Sequence, residues 1–237
     1  MSVVAKPAIS KVKYPSSDGE RMSENTLQYE WIVTIRENLD LLLPEAFVAG
    51  DLLWYPVEGD NRTRRAPDVL VAFGRPKGHR SSYMQWQEAG QAPDVVIEVW
   101  SPGNTYAELM RKLKWYDRHG VREFIMWDPD RVDLIAWQRS DAGDLDVVST
   151  VDGYESPYLG CTFTLTDDSL EVVGPDGVRF RTVAEMDADR RAAEARADAA
   201  DLKARAAEAR AARLEALLRA HGIEPGAPSD ASGATSP

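Results

Sequence analysis

Apolar residues recur along this chain in three rhythms, and each predicts a different kind of element. Ser23 or Asn25 can cap a helix, after which Leu27, Trp31, Ile35, Leu39 and Leu42 follow at steps of three and four until Pro44 ends the pattern. That stripe needs a sheet to cover it. Asp94 to Trp100 (DVVIEVW) is nearly continuous in apolar residues, as in a strand covered on both faces, and Ser101, Pro102 and Gly103 end it. A helix from about Tyr106 to Arg118 closes at Gly120, and a second buried strand, Glu123 to Trp127, closes at Asp128 and Pro129. The order strand, helix, strand predicts a crossover between parallel neighbours.

Shorter patterns flank this centre. Phe47 to Ala49, Leu52 to Tyr55 and Val69 to Phe73 read as strands with antiparallel pairing, interrupted by a polar loop from Gly59 to Arg65. Gly74 to Gln91 reads as a long surface loop, because Gly, Pro, Arg, Ser and Gln leave few periodic apolar positions. Arg131 to Arg139 and Leu145 to Val151 form an expected hairpin turning at Asp141 to Gly143, and Phe163 to Leu165 a short strand. The fold class is therefore α/β, a mixed sheet with flanking helices.

The third rhythm belongs to the tail. From about Ala184 to His221 the chain turns to Ala, Arg, Glu and Asp, nearly all helix formers. Met186, Ala193, Ala200, Ala207 and Leu214 recur every seventh residue, each followed four positions later by Arg190, Ala197, Ala204, Ala211 or Leu218. This is a coiled-coil pattern whose alanine seam buries little area, so a weak or partner-dependent coil is expected over a tight self-sufficient dimer; folding back onto the domain stays open. The expected organisation is an N-terminal arm over residues 1–23, a domain over 24–183, the helical tail over 184–221 and a disordered C-terminus over 222–237.

Composition narrows the class. Of 237 residues, 43% are hydrophobic, enough for one sizeable core and an appendage. Cys161 is the single cysteine, so no internal disulfide is possible, and a reducing cytoplasm is expected. No stretch has the length and apolarity of a membrane span or a signal peptide. The net charge of -11 opposes general attraction to a polyanion.

The candidate chemistry lies in three separated places. Pro67-Asp68 opens a strand, Glu98 lies inside the buried strand, and Lys112 sits on the next helix. Two carboxylates from neighbouring strands suit a hard cation, with water and phosphate completing its shell, and a lysine beside them can steady negative charge. An unpartnered Glu98 among Val95, Val96, Ile97, Val99 and Trp100 would cost several kcal/mol. Strand alternation sets Asp94 on the same face, at the site or its edge. A core carboxylate paired with Arg or Lys explains the same residues.

At these positions the chain resembles the Uma2 family, most closely in SDGERMSENTLQYEWI, FVAGDLLWYPVEGDNRTRRAPDVLVAFGRPKGHR, PDVVIEVWSPGN, KLKWYDRHGVREFIMWDPDR and YLGCTF. The likeness runs from about Tyr14 to Gly177 and implies a restriction endonuclease-like fold of the PD-(D/E)xK superfamily. It also implies a nuclease cutting nucleic acid, expected to be DNA, with Mg²⁺ or Mn²⁺ as cofactor. By position, Asp68 fills the acidic place of the PD motif and Glu98 the second, making both the implied metal ligands. Two residues after Glu98, where the superfamily carries lysine, this chain has Trp100, so the implied base comes from the helix. Lys112 and Lys114 lie about 200° apart there; Lys112, one turn before Tyr116, is preferred and Lys114 held in reserve. A glutamate of the first helix supports some such sites, which brings in Glu24 and Glu30.

Arg62, Arg64, Arg65, Arg75, Lys77 and Arg80 flank Asp68 and can line a phosphate track or be ordinary solvated side chains. His79 and His119 read as loop residues. GxSxG and GxxxxGK[ST] are both missing. Two functions compete: a catalytic domain, or a noncatalytic nuclease-fold scaffold. In the second, the tail forms a homodimer or recruits a partner.

Overall fold

A computed structural model describes residues 12–17, 23 and 25–222 of the chain. Glu24, most of the expected arm and residues 223–237 lie outside the described residues. The chain divides into two compact units, with the boundary between Val183 and Ala184.

In the first unit, helix α1 (Thr26–Leu42) precedes strands β1 (Ala46–Gly50), β2 (Trp54–Tyr55), β3 (Val69–Phe73), β4 (Tyr83–Met84) and β5 (Val95–Val99). Helix α2 (Tyr106–His119) follows, and then β6 (Glu123–Asp128), β7 (Asp133–Arg139), β8 (Leu145–Val147), β9 (Tyr154–Glu155), β10 (Thr162–Leu165) and β11 (Leu170–Val173). Six strands form the main sheet in the order β1-β3-β5-β6-β7-β8. Only β5 and β6 in it run parallel, Glu98 opposite Met126, because α2 carries the chain back between them; the other neighbours are antiparallel. The strands β11-β10-β9 make a small second sheet, and β2 pairs with β4 alone.

The sheet separates two apolar layers. Val69, Val71, Val95, Ile97, Val99 and Ile125 meet α1 through Ile32, Ile35 and Leu39. Leu70, Ala72, Val96, Trp100, Phe124 and Met126 meet α2 through Leu109 and Tyr116. All five residues of β5 are buried, as its unbroken apolar sequence requires.

Local signals set the helix ends. The Asn25 side chain accepts a hydrogen bond from the Gln28 amide at 2.8 Å and starts α1. Thr105 caps α2, and Gly120, with φ of 92°, takes the left-handed turn that closes it.

Three readings change. The buried face of α1 is rotated: Leu27 is exposed, whereas Gln28 is buried and donates from Nε2 to the Val99 carbonyl at 2.8 Å. The segment 74–91 is more than surface loop, since β4 and a 3₁₀ turn over Gln85–Gln87 lie within it and Tyr83 is fully buried. Lys13 to Pro15 are tied down, with Tyr14 against the rings of Tyr55 and Trp86 and the Pro15 carbonyl accepting from the Tyr55 hydroxyl.

Glu123 is fully buried without a cation. Its carboxylate accepts from the hydroxyls of Tyr154 and Ser156, the latter at 2.7 Å. Burial raises its pKa, and the two hydrogen bonds only partly offset that. A raised folded-state pKa means that protonation favours the fold. The contribution is complete below the unfolded-chain value and is lost as pH rises through the folded one. Glu123→Gln, which cannot titrate, should therefore show a flatter dependence of its urea midpoint on pH across that window than the parent chain.

The second unit holds all but the first residue of α3 (Val183–Ala220), a single helix of 38 residues, none of them buried. No helix among the described residues is long and apolar enough to cross a membrane.

Candidate active site

The α2 face of the sheet gathers the candidate groups at one end, where β3 begins and β5 finishes. Pro67 is buried immediately before β3 and delivers Asp68 to that face. Asp68 Oδ2 accepts from the Val99 amide at 2.7 Å, while Gln28 holds the carbonyl of the same residue from the α1 side. The strand end is thus clamped from both layers.

Glu98 is 3% exposed and takes two donors from one side of α2. Lys112 Nζ donates to Oε2 at 2.8 Å, and the Tyr116 hydroxyl donates to Oε1. Lys112 and Tyr116 are four residues apart, hence neighbours on the helix surface. Asp68 and Glu98 lie close enough for the charge of Glu98 to bear on Asp68.

Electrostatics follow from that crowding. Burial, and then the charge of Glu98, push the Asp68 carboxyl well above the usual range; Lys112 and the Val99 amide pull the other way without cancelling them. Removing the proton from Asp68 is thus opposed by its burial and by its acidic neighbour. Desolvation works to lower the Lys112 pKa, but attraction to Glu98 and Asp68 outweighs it and leaves the ammonium raised overall. Burial, reinforced by Glu98, raises the Tyr116 phenol well above its ordinary value, so it acts only as a donor.

Other sequence candidates lie elsewhere. Lys114 is exposed on another side of α2, and Glu30 is exposed on α1. Asp94 sits four residues before Glu98, roughly 13 Å along the strand, and has a framework role. Its Oδ2 accepts from the Phe73 amide at 2.8 Å and from Gln91 at 2.9 Å, and its Oδ1 meets Arg122 at 3.3 Å. Trp100 packs its indole beside the Tyr106 ring, leaving Lys112 as the amine at the acids.

The six cations around Asp68 are not alike. Lys77 pairs with Asp40 at 2.7 Å, and Arg80 pairs with Glu88 at 2.6 Å while its guanidinium lies over Phe47. Arg64 donates to the Asn61 carbonyl, and Arg62 is exposed. Arg65 and Arg75 each bury an Nε without a hydrogen-bond partner.

Sequence reasoning missed Gln28 and Tyr116 as groups that hold the site. A glutamine interrupting an otherwise apolar helix face was the available signal for the first. For Tyr116 the signal was that a buried phenol commonly needs an acceptor.

Among the described residues no group of three or more His, Cys, Asp and Glu side chains could together hold a metal. Two adjoining carboxylates nonetheless fit a hard divalent ion, which takes one or two carboxylates and leaves its other positions to water and phosphate. The mutual repulsion that raises the Asp68 carboxyl is the interaction a bound cation would relieve. A cleft of ≈ 370 Å³ lies apart from the acids, between α1, β1 and Gly78–Arg80.

The family model Uma2, described as "Putative restriction endonuclease", matches residues 17–166. No curated protein matches the chain. Among solved structures, a protein from Anabaena variabilis described as "a putative nuclease belonging to DUF820" is 16% identical, with a TM-score of 0.44 over 57% of this chain and 75% of that one. With most of the first unit covered by the family model, the chain belongs to the Uma2 family.

Proposed function

We propose that the chain is a metal-dependent endonuclease that hydrolyses phosphodiester bonds of nucleic acid in the cytoplasm, with DNA as substrate and Mg²⁺ or Mn²⁺ as cofactor. The observation that carries this reading is the meeting of Asp68 and Glu98 beside Lys112 where β3 begins and β5 ends. Asp68 and Glu98 would hold the ion. When bound, such an ion lowers the pKa of a coordinated water and neutralises phosphate charge. Lys112, kept as an ammonium by its two acidic neighbours, serves as a donor that steadies charge developing on the phosphate, and it is not a proton acceptor. Tyr116 fixes one Glu98 oxygen, and the Val99 amide fixes one Asp68 oxygen, so both carboxylates are oriented before substrate arrives.

Because the Asp68 carboxyl is raised, protons compete with the ion for this pair, so metal affinity is linked to pH. Mg²⁺ or Mn²⁺ should raise the melting temperature, the rise should grow as pH increases, and Glu98→Gln should abolish it. Plasmid cleavage in Mg²⁺ should fall roughly a hundredfold or more in Asp68→Ala and Glu98→Ala. Cleavage surviving the double substitution would remove these residues from the chemistry.

For α3 we propose self-association as an antiparallel homodimer, which leaves the scaffold alternative testable. Val183 to Asp201 hold six acids and three arginines, net −3, whereas Leu202 to Ala220 hold five basic residues and two acids, net +3. Antiparallel pairing sets each half against its opposite, and Leu202, Leu214, Leu217 and Leu218 are exposed for contact. Light scattering on the full-length chain should give twice the mass of one chain at low salt and less at high salt, while a chain ending at Val183 should be monomeric. An equal mass per domain for both chains would exclude assembly through the helix. A dimer without metal-dependent cleavage would favour the noncatalytic scaffold.

A further inference from the structure

Five arginines of the first unit have acidic partners: Arg36 with Glu37, Arg80 with Glu88, Arg122 with Asp94, Arg131 with Asp128 and Arg139 with Asp117. Arg65 differs. Its Nε is buried with no hydrogen-bond partner, and no ion pair involves its guanidinium among the described residues. Instead the guanidinium lies 5.6 Å from the centroid of the Trp115 ring.

The position is also rigid. The Arg65 carbonyl accepts from the Trp54 amide at 2.8 Å, and the Arg65 amide donates to the Trp54 carbonyl at 3.2 Å. Trp54 is fully buried and packs edge-on against Trp115 at 4.8 Å. Only Ala66 and Pro67 separate Arg65 from Asp68. Trp115 lies between Lys114 and Tyr116 on α2, so the guanidinium rests on the helix that supplies Lys112. Its positive charge is felt at both Lys112 and Tyr116.

A rigid cation without a carboxylate, in a strongly acidic chain and beside an acid pair, is arranged to receive an anion that the acids alone would repel. Guanidinium donors match phosphate oxygens in a fork that an ammonium cannot reproduce. We infer that Arg65 is the phosphate arm of the site, its guanidinium seated on Trp115 and binding a non-bridging phosphate oxygen of the nucleic-acid strand. This deepens the nuclease reading and rests on it for the identity of the strand.

The test uses the full-length chain with a fluorescently labelled DNA duplex, binding being followed by anisotropy across a salt series in Ca²⁺. Arg65→Gln keeps the stem over Trp115 and removes the charge. It should weaken binding about tenfold and reduce the slope of log K against log salt by about one. Arg65→Lys should keep the slope and recover only part of the affinity. Unchanged slope and affinity in Arg65→Gln would overturn the assignment and leave Arg65 as packing for Trp115. If the parent chain binds no duplex, the nuclease reading fails on its own, and inorganic phosphate then decides. Phosphate that raises the melting temperature of the parent but not of Arg65→Gln retains an anion site; phosphate that raises neither, or both equally, overturns it.

Discussion

Two carboxylates in contact at the end of a sheet cannot both be charged without a cation beside them. In this chain Asp68 and Glu98 impose that constraint, and the architecture around them answers it with directed donors. The Val99 amide points at Asp68, while Lys112 and Tyr116 point at Glu98. Each donor comes from a different structural requirement. The Val99 amide is free for Asp68 because β3 gives out at Val69, opposite Ile97. The amine and the phenol are free for Glu98 because α2 lies flat on that face of the sheet.

The crossover helix accordingly has two functions. Its geometry makes β5 and β6 parallel neighbours, and its inner face supplies the polar groups that make a buried glutamate tolerable. This accounts for the tryptophan two residues after Glu98. Strand alternation sends position 100 to the same face as Glu98. An indole there fills the layer against Tyr106, and the positive charge arrives from the helix instead. Lysine on the helix, one turn from Tyr116, can reach one glutamate oxygen while the phenol takes the other.

How much of this was legible in the sequence depended on whether a residue's neighbours were local. The central strand, the crossover helix and the cap at Asn25 follow from runs, periodicities and side-chain chemistry within a few residues, and they stand where those patterns put them. Helical geometry allows only one of Lys112 and Lys114 to face the sheet, and the choice of Lys112 rests on its place one turn before Tyr116, as in the family pattern. Gln28 could not be assigned a partner, since the Val99 carbonyl lies 71 residues away and only the relative placement of α1 and β5 creates the bond. Tyr83 inside a polar segment, and the Tyr154 and Ser156 hydroxyls around Glu123, depend equally on distant contacts. Asp94 shows the converse. Alternation set it on the same face as Glu98, but the length of the strand separates them, and its oxygens serve the Phe73 amide, Gln91 and Arg122.

Charge brings these observations to bear on substrate. Residues 184–221 carry eight acidic and eight basic side chains, so the tail is neutral overall and the net charge of -11 resides elsewhere in the chain. Several basic residues that looked like a phosphate track are already matched, Lys77 to Asp40 and Arg80 to Glu88. A surface of that kind does not attract a polyanion at long range. Affinity must then come from a few short-range contacts in which desolvation strengthens each interaction, and those contacts must lie where the acid pair has its own compensating charge. Lys112 and Arg65, the cations that the Asp68–Glu98 end of the sheet brings together, meet that requirement. On the proposed nuclease reading, a protein with such a surface would have little to hold it on intact duplex in general. Its selectivity would be decided at the site itself, by whether a phosphate can be presented to both cations and both acids at once.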